Sequence, residues 1–311
     1  MKKVRYKVRN WREYNKALKN RYSFTLWLND EVRAGWIAEP TGRRGAPLVY
    51  SDMAIQSCLT IRVLLRLPLR GCEGILRSIA SLLGLAKLPM PDYSTLSRRG
   101  KTLKVRLPLA PKKGGVHMVV DSTGLKLYGE GEWKVRIHGK SKRRTWRKLH
   151  IGVDEATGEI LVSALTTADV SDGEALPEML REVDAPVTKV SGDGAYDHRE
   201  DYAAIAALGA EALIPPREGA RIWRHGNSRN APLERDRHLR RIREVGRRQW
   251  KLESGYSRRS LAETAFSRIK RFFGDRLRAR DFENQATEAF LGVRALNIMT
   301  AAGMPQSYPV N

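Results

Sequence analysis

Three carboxylates in this chain sit where an isolated acid has little reason to be. Asp121 ends the apolar run HMVVD, where an aspartate either caps a turn or points from a strand into a site. Asp193 lies in KVSGDGAYD with a glycine on each side, which lets a backbone or a phosphate come close. Glu263 is the one acid in YSRRSLAETAFSRIKRFFG (256–274), among Arg258, Arg259, Arg268, Lys270 and Arg271. Three carboxylates in a basic chain suit Mg2+, with Mn2+ as a substitute. Such a hard cation takes oxygen ligands and completes its shell with water and phosphate oxygens. Two of these ions about 3.5–4 Å apart serve an in-line phosphoryl displacement, one activating the attacking oxygen and one steadying the leaving oxygen. Neighbouring acids have plainer uses. Asp154 stands at a hairpin turn beside EATGE, and Asp197 is placed to cap the helix after it.

The elements that must carry these acids can be read from periodicity. Around Glu263, Ala262, Phe266, Ile269 and Phe273 recur at spacings of 4, 3 and 4, an apolar stripe at helical period. At about 100° per residue, Tyr256, Arg259, Glu263 and Lys270 fall within roughly 60° of arc beside that stripe. Two readings stay open: an intrahelical Arg259–Glu263 pair at i,i+4, or one edge facing a common partner. VHMVVDSTGLKLYG reads as a strand, and 147–170 as two strands around a turn at Glu155–Gly158. Residues 172–184 look helical despite Pro177, 187–197 form a strand ending at the glycine-flanked aspartate, and a helix and a short strand (EALIPPR) follow. The order β-β-β-α-β-α-β predicts an α/β fold with a mixed sheet flanked by helices.

Ahead of this lie helical runs, one starting at Ser51 as N-cap, one over 72–85 and one over 91–104. They predict an all-helical, helix-turn-helix-like DNA-binding domain over residues 1–110, ahead of a catalytic domain over 111–311 with a basic insert at about 216–255. Pro108, Pro111, Gly114 and Gly115 supply the linker. The 311 residues carry a formal charge of +23, which points to a polyanion, with double-stranded DNA the first candidate. Positive charge gathers in two stretches. Residues 217–259 hold 14 Lys and Arg against 5 acids, including Arg221, Arg224, Arg240 and Arg241. Residues 132–148 hold 8 against one, including Lys140, Lys142, Arg143 and Arg144, with Trp133 and Trp146 interleaved. Together they suggest a channel for a phosphate backbone. Arg62, Arg66 and Arg70 break the apolar stretch that comes nearest to a membrane span, and the N-terminal MKKVRYKVRNWREY has no apolar core for a secretion signal. Cys58 and Cys72 lie in no metal-binding spacing and read as reduced core thiols.

The sequence resembles DDE transposases of bacterial insertion sequences, specifically the insertion-sequence-5 family, over nearly its whole length. The likeness rests on VRNWREYNKALKNR near the start, VVDST around Asp121, DGAYD from Asp193, and Y-x2-R-x3-E-x6-K, matched by Tyr256, Arg259, Glu263 and Lys270. It implies a ribonuclease-H-like catalytic fold with its first and fourth strands side by side. It also implies that Asp121, Asp193 and Glu263 bind two metal ions while Tyr256, Arg259 and Lys270 contact DNA near the cut. The expected activity is cleavage of element ends at terminal inverted repeats, then joining to target DNA by a homodimer or higher oligomer in the bacterial cytoplasm, on the nucleoid when bound to DNA. The competing readings are a nuclease of the same fold that only cleaves, and a non-catalytic DNA-binding regulator derived from a transposase.

Overall fold

A computed structural model describes residues 5–40, 42, 47–82, 88–112, 114–127, 146–224 and 233–310. The chain forms two compact units, Leu109–Leu277 and a unit made of Met1–Pro108 with Arg278–Asn311. Residues 278–311, expected in the catalytic domain, therefore belong with the N-terminal segment.

The first unit holds β1 (Arg5–Val8) and the helices α1 (Trp11–Asn20), α2 (Phe24–Trp27), α3 (Asp30–Ala34), α4 (Asp52–Leu64), α5 (Leu69–Leu82) and α6 (Tyr93–Gly100). Ser51 caps α4 by accepting from the Ala54 backbone N–H at 3.1 Å, and Pro68 separates α4 from α5. Cys58 and Cys72 are free and buried in this core.

The second unit is a mixed α/β structure. Its elements are β2 (Val116–Leu127), β3 (Trp146–Asp154), β4 (Ile160–Thr167), α7 (Asp172–Glu182), β5 (Val187–Ser191), α8 (Arg199–Ala207), β6 (Glu211–Leu213), α9 (Glu234–Glu253), α10 (Ser260–Phe273) and β7 (Arg276–Leu277). The sheet order is β4-β3-β2-β5-β6. The first three strands are antiparallel neighbours, whereas β5 and β6 join in parallel, so the first and fourth strands of the unit pair directly. Pro177 sits inside α7, whose start is fixed by a capping box between Ser171 and Glu174. Strand alternation divides the core. Val116, Met118 and Val120 pack with Leu176, Met179, Val190 and Ile205, while α10 covers β2 and β3 with its buried Ala262, Phe266 and Ile269.

The chain then returns to the first unit as α11 (Phe282–Ala301) and β8 (Ser307–Val310). α11 is apolar around most of its circumference, with Leu291, Val293, Ala295, Leu296 and Met299 all buried. It is tied to the N-terminal helices by Arg62–Glu288 at 3.3 Å and by the Thr287 hydroxyl donating to the Gly100 carbonyl at 2.7 Å. β8 pairs antiparallel with β1.

Candidate active site

The geometry of β2 opens the site. Its edge pairs with β5 over Val116–Val119 and with β7 at Lys126 and Leu127. Between these, residues 120–125 have no strand partner on that edge among the described residues, although β3 runs along the opposite one. Asp121 lies in this gap, and Asp193 lies two residues beyond the end of β5. Clefts just outside the carboxyl ends of parallel strands are where open α/β sheets bind ligands.

Asp193 caps the short 3-10 turn Gly194–Tyr196, accepting from the Ala195 N–H at 2.8 Å. Gly192 is required there by packing: a Cβ would stand 2.7 Å from the Tyr196 ring. Arg217 holds the turn from outside, donating to the Gly194 carbonyl at 2.9 Å and meeting His198 at 2.7 Å. In sequence Arg217 is one more charge in the basic stretch, and nothing local marks this role.

Glu263 stands on α10, above the same face of β2 as Asp121. Arg259 joins the two. One guanidinium nitrogen donates to Asp121 Oδ2 at 3.2 Å, and another donates to Glu263. Both readings of the helix thus meet in one side chain, because the i,i+4 pair exists and also reaches the strand. Burial pushes the Asp121 carboxyl above its ordinary pKa, and Asp193 and Glu263 push the same way, against the Ser122 N–H and Arg259. Burial works against the Arg259 charge, but Tyr256, Asp121, Glu263 and Asp193 more than offset it, so its pKa lies above the ordinary value. The five groups form one electrostatic unit.

Tyr256 has a different setting from the one its helical-wheel position suggested. Gly255, at φ 70°, breaks the chain after α9, and Tyr256–Arg259 form a 3-10 turn before α10 begins. The ring is buried against Trp250, with centroids 5.7 Å apart, and Leu213. Burial pushes its phenol up to about 12. Lys270 is half-buried two turns beyond Glu263, about 10 Å along the helix axis.

The other candidate residues are scattered. Arg221 is exposed, and its carbonyl accepts from Arg235 at 2.9 Å. The Arg224 backbone N–H donates to Asp236 at 2.8 Å, and its carbonyl accepts from Arg240 at 3.3 Å. Arg241 is engaged with Glu244 and Glu253. Lys140, Lys142, Arg143 and Arg144 lie outside the described residues, as does Trp133. Asp197 does not cap the start of α8, where His198 stands as N-cap; its side chain is buried in a two-pronged pair with Arg235 and also accepts from the Arg217 N–H at 2.9 Å. Behind Asp121, on the opposite sheet face, the Ser122 hydroxyl donates to Asp172 at 2.9 Å and Lys148 reaches the same carboxylate at 3.3 Å. Those partners sit on three separate elements, so no sequence spacing announces them.

The donor chemistry fits a hard divalent cation, since all three acids offer oxygen and their mutual repulsion favours added positive charge. Among the described residues no three His, Cys, Asp or Glu side chains stand close enough to share one ion. Arg259 supplies the positive charge between Asp121 and Glu263.

A family model described as a transposase DDE domain matches residues 112–298, and a second model of the same description matches residues 19–130. Among solved structures, the chain is similar to a piggyBac transposase synaptic complex with hairpin DNA determined by cryo-EM. That likeness has a TM-score of 0.37 at 9% identity, over 94% of this chain and 76% of that one, too low a score to fix topology.

Proposed function

We propose that this chain, which belongs to the transposase DDE-domain family, is a DNA transposase of an insertion sequence that cuts element ends and joins them to target DNA, with Asp121, Asp193 and Glu263 as its acids. One observation carries the assignment: Asp121 and Glu263, 142 positions apart in sequence, share a single guanidinium, and Asp193 lies within electrostatic reach of Asp121 and of that guanidinium. A strand order with the first and fourth strands paired in parallel supports reading the second unit as ribonuclease-H-like.

In this reading the three carboxylates hold divalent metal, Mg2+ by their hard-oxygen chemistry. Metal bound there supplies activation of the attacking oxygen and charge relief for the leaving one. The chain's own residues do the rest. Arg259 releases its two carboxylates and turns its fork to a phosphate of the strand to be cut. Lys270 takes a second phosphate further along α10. Tyr256, seated in the core, fixes where the turn carrying Arg259 begins. Arg221 and the exposed face of α9 hold DNA away from the cut, and a formal charge of +23 favours that polyanion over other partners. No described helix is long and apolar enough to cross a membrane.

The test is a strand-transfer assay with the full chain, Mg2+, and the inverted repeats flanking its gene. Products joined to target DNA establish the reading. Cleavage without joining makes the protein a nuclease, and binding without either makes it a regulator.

A further inference from the structure

The N-terminal unit contains a cavity of about 710 Å³, within the size range of small-molecule sites. Its floor is one face of α4, where Met53, Gln56 and Thr60 recur at helical spacing. Trp27 and Ile298 supply apolar walls, and Arg294 enters from α11. The Trp27 ring is held in place by its Nε1 donating to the Arg21 carbonyl at 3.0 Å.

Arg294 is the informative residue. It is half-buried, and among the described residues no hydrogen bond or ion pair engages it. Burial alone pulls its pKa below the ordinary value. Three other buried or half-buried arginines of this unit are partnered: Arg62 with Glu288 at 3.3 Å, Arg99 with Asp52 at 2.7 Å, and Arg21 with the Gly303 carbonyl at 2.6 Å. Removing a guanidinium from water without a partner is costly, so such a group invites one from outside. A planar fork selects an oxyanion. Two acids also line the cavity, Glu31 and Asp52, but Asp52 is committed to Arg99, and Lys104 and Arg106 add positive charge at the same wall.

We propose that this cavity binds a nucleotide, with Arg294 on its phosphate, Trp27 and Ile298 beside its base, and Gln56 and Thr60 on its polar edges. The nucleotide is either free or the terminal residue of a DNA strand. The assignment goes beyond the DDE site and does not depend on it.

The experiment is calorimetric titration and thermal denaturation of the full chain with two probes, deoxyadenosine monophosphate and a 5′-phosphorylated deoxytrinucleotide. Wild type is expected to bind at least one probe and to melt at a higher temperature with it. Arg294→Met should bind at least tenfold more weakly, yet melt no lower than wild type without ligand, because an uncompensated buried charge is gone. Gln56→Leu should weaken binding as well. General charge attraction cannot mimic this, since Arg294 is one of 57 Lys and Arg. Binding of the mononucleotide assigns a free ligand, and binding of the trinucleotide alone assigns a strand end. Unchanged affinity in both variants, or binding of neither probe to wild type, overturns the proposal. Should Arg294→Met fail to fold, Arg294→Lys decides by the same criterion, because an ammonium lacks the fork.

Discussion

Arg259 donates to Asp121 at 3.2 Å while its other terminal nitrogen engages Glu263, so one guanidinium ties a central strand to the helix above it. The planar fork matters for the phosphate, because an ammonium can bridge two carboxylates, as Lys112 does between Asp154 and Glu159, but cannot offer two parallel donors to a phosphate. Arg259→Lys is therefore expected to slow single-turnover cleavage by at least tenfold at saturating enzyme, while end affinity changes less. Arg221→Ala is the contrast. It should weaken DNA binding and lower the salt slope by about one, with the cleavage step unchanged. Wild-type cleavage by Arg259→Lys would reduce the Arg259 contacts to structural support.

Asp121→Ala, Asp193→Ala and Glu263→Ala should each lower cleavage and joining by at least about a hundredfold, since loss of metal-borne charge stabilisation is worth several kcal/mol. End binding should persist or tighten, because each change removes negative charge near phosphate. Gel shifts and metal-dependent cleavage measured on the same preparations separate the two effects. Near-normal activity in any one variant removes that acid from the site.

What could be read from sequence followed the range of the interaction. The strand carrying Asp121 and the helix around Glu263 are local patterns, and both are present. A wheel assumes one continuous α-helix and so puts Tyr256 on it, whereas Tyr256 opens a 3-10 turn that follows Gly255 and precedes α10. Asp197 looks like a cap because its partner Arg235 lies 38 positions on, where no local rule reaches. The return of α11 to the N-terminal unit was hidden for the same reason. A helix apolar on most sides announces burial but not against what.

That return makes a prediction about fragments. Residues 1–110 alone lack α11 and its buried Leu291, Val293, Leu296 and Met299, and they leave Arg62 without Glu288. Circular dichroism and thermal melting should find this fragment poorly folded. Residues 1–108 joined by a flexible linker to 278–311 should melt cooperatively. A cooperative transition in the short fragment would show that α11 is dispensable. Whether the joined unit discriminates an element end from scrambled DNA is then measurable by gel-shift competition.

The Asp197–Arg235 pair should matter to stability more than its polar character suggests. Both side chains are almost wholly buried, and Asp197 also receives the Arg217 N–H. Removing Asp197 leaves Arg235 with the more distant carboxylate of Asp236, at 3.6 Å, and breaking a buried pair typically costs about 3–5 kcal/mol. Asp197→Ala is expected to fall in that range by denaturant unfolding. Replacing both residues with apolar ones of similar volume should cost less than either single change. Equal costs for the single and double variants would mean that the pair is not the source of the loss.

Asp201 gives the clearest pH dependence. It is fully buried beside the start of α7, and neither carboxylate oxygen has a hydrogen-bond partner among the described residues. Burial, reinforced by Glu200, raises its pKa to about 7, whereas an unfolded aspartate titrates near 3.9. Between those values the folded protein holds a proton that the unfolded chain has lost. The contribution is therefore full below about pH 4, shrinks as pH rises, and is gone above about 7. His150, lowered to about 4 by burial, acts with the opposite sign over part of the same window, since it must stay neutral to remain buried. A wild-type melting curve thus mixes the two, and a variant is needed to separate them. Asp201→Asn keeps the shape and cannot ionise. It should raise stability at pH 8 by up to about 4 kcal/mol, because about three pH units separate the folded and unfolded values at about 1.4 kcal/mol each, and change it little at pH 4, where the folded aspartate is already neutral. Denaturant unfolding of both proteins at the two pH values measures this, and a gain at pH 4 as large as that at pH 8 would show that ionisation of Asp201 is not its cause.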